Sequence, residues 1–158
     1  MSVLAFTYRE QNDTQVSDAV TIASLSTLAS AAYSAPSTLV DNTPAGPHGI
    51  SYTAGILRLS FSAALTAGAG SPYLAVYAHK AMDGTNLPSP PGTAAAAPSP
   101  NAEQVLWQAV ASGAFSVIDF PLFSLDPELY GFQIYNGAGV AFSGTATLTL
   151  YRWNRKLA

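Results

Sequence analysis

Cysteine is absent from the 158 residues, which rules out disulfides, thiolate metal sites and thiol nucleophiles together. Stability has to come from packing. Charge is also scarce: Asp, Glu, Lys and Arg make up 9% of the chain, against roughly 25% in an average soluble domain. The net charge is -3, and the six basic residues, Arg9, Arg58, Lys80, Arg152, Arg155 and Lys156, gather only in a short C-terminal cluster. Nucleic acid is therefore not an expected partner, because binding it needs a basic stripe. No apolar run approaches the ~20 residues of a membrane-spanning helix, and residues 1–9 lack the basic start and continuous apolar core of a signal peptide. The expectation is a protein made in a cytoplasm, with no membrane partner.

Ala, Ser, Thr, Gly and Pro take the place of the missing charge, while the apolar fraction of 49% is ordinary. Copies of such a chain repel one another weakly, so it is expected as an assembly subunit covered by neighbours rather than as a free enzyme. The length suits one domain that folds without metal or cross-link.

Alternation of apolar and polar residues dominates the second half, the pattern of a strand with one buried face. Leu57, Leu59, Phe61 and Ala63 interleave with Arg58, Ser60 and Ser62, and Ala146, Leu148 and Leu150 interleave with threonines. Around residues 73–79 both faces are apolar, Leu74, Val76 and Ala78 against Tyr73, Ala75 and Tyr77, so that strand is central or meets a partner. Tyr130, Phe132 and Ile134 form one face of a strand that runs into Asn136-Gly137, a dipeptide suited to a tight hairpin, with the next strand through Val140 and Phe142. Asp83-Gly84 is a second turn signal, and residues 105–110 and 115–120 supply two more strands.

Residues 87–101 read LPSPPGTAAAAPSPN. Repeated prolines forbid both a helix interior and a central strand, so this is an exposed loop. In the first forty residues Val16, Val20 and Ile22 suit a strand, while Ile22, Leu25, Leu28 and Ala32 have helical spacing. A strand, one helical turn and an extended segment reaching Val40 are expected. The organisation predicted is an N-terminal arm, 1–15, and one domain, 16–158, folded as an all-β antiparallel sandwich of jelly-roll-like type.

Reactive constellations are not found. His48 and His79 have no second histidine or carboxylate at metal-ligand spacing and are read as a solvated loop residue and a strand-face residue. Glu10, Asp13, Asp18, Asp41, Asp83, Glu103, Asp119, Asp126 and Glu128 fall in no acid–base motif. Asp83 and Asp126 are read as turn residues, Asp126 in a DPE sequence that often opens a helical turn. Asp119 is expected to point outward from an edge strand before Pro121, since a buried carboxylate is costly unless paired. The glycine-rich stretches 68–72 and 136–144 lack the following helix that phosphate binding needs and are read as hairpin turns. No residue is assigned a catalytic, cofactor-binding or metal-ligating role, and neither a cofactor nor enzymatic activity is expected.

Three stretches, TIASLSTLASAAYSAPSTLVDNT at 21–43, YLAVYAHKAMDGTN at 73–86 and GFQIYNGAGVAFSGTATLTLYRW at 131–153, resemble in order and spacing a group of small virion proteins of tailed phages and prophages. The alanine and proline tract at 88–100 departs from that group. The resemblance implies a β-sandwich with a structural role, read here as a capsid decoration or cement protein. Its partners would be the major capsid protein and copies of itself, as a trimer or dimer on the capsid surface. Under that reading the contact residues are Phe6, Tyr8 and Arg9 of the arm, Leu87, Pro90, Pro91 and Pro98 of the loop, and Arg152, Trp153 and Arg155. The alternative is a tail or fibre receptor module, with Trp107, Trp153 and the tyrosines forming a carbohydrate platform. A third reading, a small hydrolase, would require a pair of carboxylates brought together by the fold.

Overall fold

Alternation becomes burial along the longest strand, Ala54–Thr66 (β4). Its Leu57, Leu59, Phe61 and Leu65 are buried, while Arg58 and Ser62 on the opposite face are exposed. The computed structural model describes residues 15–81, 83–87, 104–111 and 113–154. The other strands are Val16–Val20 (β1), Ala32–Tyr33 (β2), Val40–Asp41 (β3), Tyr73–Lys80 (β5), Gln104–Ala109 (β6), Ala114–Asp119 (β7), Phe123–Ser124 (β8), Leu129–Gly137 (β9) and Ala146–Trp153 (β10). The expected arm and most of the proline-rich loop lie outside the described residues.

All pairings are antiparallel and form two sheets. One has the order β1-β10-β4-β7, with β8 also on β4; the other has the order β2-β9-β5-β6, with β3 also on β9. Leu57, Leu59, Leu148 and Leu150 of the first sheet join Leu74, Val76, Phe132 and Ile134 of the second in one buried cluster. Each such side chain contributes about 1.5–3 kcal/mol when fully buried. This is the all-β sandwich that the alternation predicts.

The expected hairpins at 68–72 and 136–144 are not formed, because the strands on either side of each stretch belong to different sheets. Both stretches carry the chain across the sandwich. Asn136 and Gly137 lie inside β9, and positive φ falls on Gly139, at 76°, and Gly144, at 70°. Val140 and Phe142 are in the connection rather than in a strand, although Phe142 is buried with its ring 4.8 Å from that of Phe61. The two connections touch: a Cβ on Gly68 would lie 2.9 Å from the Cα of Gly139.

The N-terminal reading holds with one refinement. Ile22, Leu25 and Leu28 are buried, but the helical piece is a 3-10 turn, Leu25–Thr27, whose period of three residues is the spacing of those side chains. Among the described residues it is the only helix of any type. No helical turn forms at DPE. Instead the Asp126 carboxylate meets Lys80 Nζ at 2.6 Å, and its backbone N–H donates to the Tyr130 hydroxyl at 2.7 Å. Asp119 is exposed on β7 and meets Arg58 at 2.6 Å.

Asp83 shapes its turn as expected. Its Oδ1 accepts from the backbone N–H of Asn86 at 2.6 Å and of Thr85 at 2.9 Å, and Gly84 takes φ 72°. Donation from Asn86, and then from Thr85, stabilises the carboxylate and holds its pKa down at about 2. A depressed folded pKa favours the folded turn above the ordinary Asp pKa, and this contribution is lost as pH falls through the folded value. In an NMR titration the Asp83 carboxyl is expected to remain ionised at pH 3, where an unrestrained Asp is mostly protonated. A midpoint near the ordinary Asp value would show the turn to be open in solution.

Candidate binding face

Charge has been drawn into the end of the sandwich as well as left on its surface. Asp18 of β1 pairs with Leu150, and Arg152 of β10 pairs with Gly55, so both side chains face inward beside the core leucines. Arg152 is 0% exposed. Its Nε donates to Asp18 Oδ2 at 2.9 Å, with Nη2 at 2.6 Å from the same oxygen. Its Nη1 donates to the Asp41 carbonyl at 2.8 Å and to Asn42 Oδ1 at 3.1 Å. The guanidinium lies 5.2 Å above the Tyr52 ring, and His48 Nε2 is 2.9 Å from Asp18 Oδ1. This cluster ties β1 and β10 to β3 and to the loop carrying His48. Arg152 is thus an internal residue, which corrects its expected place on a contact surface, and His48 is tethered rather than freely solvated.

The outer face of the second sheet is different in kind. Register places Tyr33 opposite Tyr135, Tyr135 opposite Ala75, and Ala75 opposite Trp107, one line of side chains crossing all four strands. Tyr73 and Tyr77 flank Ala75 on the same face. The Tyr73 ring centroid is 5.6 Å from both Trp107 and Tyr135, with interplanar angles of 31° and 34°. Tyr33 continues the series, 4.7 Å from Tyr135 and 5.9 Å from Tyr77. Trp107 is 54% exposed and the four tyrosines are half-buried.

Gly137 makes room for this stack. A Cβ there would lie 3.0 Å from ring carbons of both Tyr73 and Tyr135 and 2.9 Å from the Tyr73 carbonyl oxygen. That glycine serves ring packing, not a turn. Burial and the neighbouring Tyr135 raise the pKa of the Tyr73 phenol, and burial and Tyr33 push Tyr77 up to about 12. Both phenols therefore remain protonated, and uncharged, at neutral pH. Beside Tyr33 a shallow cleft of about 250 Å³ opens, lined among others by Ser24, Thr27 and Leu28.

Of the sequence-predicted contact residues, Leu87, Arg152 and Trp153 fall within the described residues. Phe6, Tyr8, Arg9, Pro90, Pro91, Pro98 and Arg155 lie outside the described residues. Leu87 is half-buried, its side chain resting against Gly131 of β9. Trp153, paired with Ala54 in the first sheet, does not share a sheet with Trp107. The apolar second face of β5 had signalled Tyr73 and Tyr77; Tyr33 and Tyr135 join them only through strand pairing. Among the described residues no three His, Asp or Glu converge as metal ligands. No protein-family model, curated protein or solved structure matches this chain.

Proposed function

We propose that this chain is a structural protein of a tailed-phage particle, a capsid decoration or cement protein that binds the outer shell and bridges neighbouring major capsid subunits as a trimer or dimer. The observation that carries the reading is the β6–β7 flank. The two strands end their respective sheets among the described residues and are joined by only residues 110–113, so both open edges lie on one side of the sandwich. β6 carries no charge and β7 none before Asp119, whereas soluble proteins commonly guard such edges with lysine or other charges. Val117 is 50% exposed on β7, and Val105, 54% exposed, stands on β6 beside Trp107 on the outer face of its sheet. A free monomer would present the flank as a template for pairing; a subunit in a lattice would have it covered.

The strand order supports the same reading. We take β1-β10-β4-β7 facing β2-β9-β5-β6 as the winding of a jelly roll, an architecture that viral capsid domains share with lectins and cupins. A clamp of this type acts by mass action: it binds the assembled lattice and adds its binding free energy at each junction. Repetition over many junctions makes weak contacts sufficient.

Incubation with cognate expanded, empty capsids is expected to give saturable co-sedimentation. Val117→Asp places a charge on the edge and is expected to weaken binding about ten-fold, a loss of about 1.4 kcal/mol. Absence of the polypeptide from purified mature particles would refute the proposal.

A further inference from the structure

We infer that the outer face of the β2-β9-β5-β6 sheet is a binding site for an uncharged oligosaccharide, with Trp107 as its main stacking platform and the cleft beside Tyr33 as its far end. The inference does not depend on which particle surface carries the chain.

Four observations point to this ligand class. The row Tyr33, Tyr135, Tyr73 and Trp107 offers rings at successive steps across the sheet, and aromatic rings tipped with hydroxyls suit a ligand with apolar C–H faces and polar edges. Among the described residues the row and the cleft contain no acid or base apart from tyrosines, of which Tyr73 and Tyr77 are held in the phenol form, and His79, on the same face of β5, is fully buried. An ionic ligand would find no counter-charge, whereas a polyol needs none. The cleft then adds the exposed hydroxyl residues Ser24 and Thr27 beside the terminal ring, the combination of apolar wall and few polar groups that small-molecule sites use. Finally, Ser24 of the cleft lining holds left-handed backbone, with φ 56°. This conformation costs non-glycine residues about 1–2 kcal/mol, and such strain tends to gather at binding sites.

The dimensions of the patch fit a glycan. Three strand spacings and four residue steps give the aromatic field roughly 14 Å by 13 Å, on the order of 200 Å². A stable protein interface covers about 800 Å² per partner. The aromatic field alone is smaller than such an interface and long enough for a short saccharide chain lying across the strands.

The test uses the purified full chain and a panel of uncharged tetrasaccharides built from glucose, galactose, mannose or N-acetylglucosamine, followed by indole emission and by heat of binding. At least one member is expected to bind and to change the indole emission. Trp107→Ala should weaken that binding at least ten-fold, and Trp107→Phe, which keeps a ring, should weaken it less than three-fold. Trp153→Ala, in the other sheet, should leave it unchanged. Trp107 is half-exposed at a sheet edge, so its removal is expected to leave the fold intact, which the thermal midpoint and far-UV circular dichroism check. The inference is overturned if no member binds at millimolar concentration, or if Trp107→Ala binds like the parent chain. It is equally overturned if Trp107→Ala abolishes capsid association while no saccharide binds, because the face would then belong to a protein. Failure of capsid binding alone bears on the structural role and leaves the saccharide site standing.

Discussion

Replacing Asp18 with alanine is expected to lower the stability of the fold by about 3–5 kcal/mol, the cost of leaving one partner of a buried ion pair uncompensated. For a chain of this size that is a fall in Tm on the order of 10 °C. Arg152 cannot escape to solvent, being 0% exposed, and cannot discard its charge, because a guanidinium does not deprotonate in a protein. Without Asp18 it would keep only the Asp41 carbonyl, Asn42 Oδ1 and the Tyr52 ring, none of which carries a negative charge. The double variant Asp18→Ala with Arg152→Met is expected to recover most of the loss, since a buried pair and its apolar replacement are often close in free energy. Denaturant unfolding of the two single variants and the double variant closes the cycle. A loss below about 1 kcal/mol in Asp18→Ala would show that water reaches the guanidinium.

The second large effect is expected at Asn136, which has a fully buried side chain. Its Nδ2 donates to the carbonyls of Leu28, Ala29 and Val140 at 3.1, 3.2 and 2.9 Å, and its Oδ1 accepts from the Ala138 N–H at 3.1 Å. One amide thus joins the segment after the 3-10 turn to the β9–β10 connection. Alanine would leave the buried Ala138 N–H and the Val140 carbonyl without these partners, at about 1–3 kcal/mol for each buried group. A total loss of about 2–6 kcal/mol is expected. Asn136→Asp should be no better, because a carboxylate has no N–H to offer three carbonyls. Hydrogen exchange at Ala138 separates this account from a general loosening: its amide should lose protection in Asn136→Ala before the amides of β4 do.

Asn136 also shows where a sequence can be read correctly for the wrong reason. Asn-Gly marks an irregularity near the end of a strand, but here the asparagine is a buried staple and the glycine is a space for rings. Alternation was a sound guide to β4, β9 and β10, because burial on one face is a local property that each strand states for itself. Which strands become neighbours is not local, so the connections that cross between sheets read as hairpins. Asp18 and Arg152 are separated by 134 positions, and no pattern within either strand announces their pairing. The aromatic face was half legible. Tyr73 and Tyr77 stand on a strand with two apolar faces, whereas Tyr33 and Tyr135 acquire meaning only from register.

The order in which the chain is made runs against the order in which the sheets are layered. β9 and β10 are synthesised after the strands they sit between: β10 lies between β1 and β4, and β9 between β2 and β5. Until both have been synthesised, β4 can pair with β7 and β5 with β6, but β1, β2 and β3 lack their neighbours, and the nascent polypeptide carries open edges on either side of two unfilled gaps. Closure of both sheets therefore waits for β9 and β10, so much of the pairing joins strands far apart in the chain, an arrangement that slows folding.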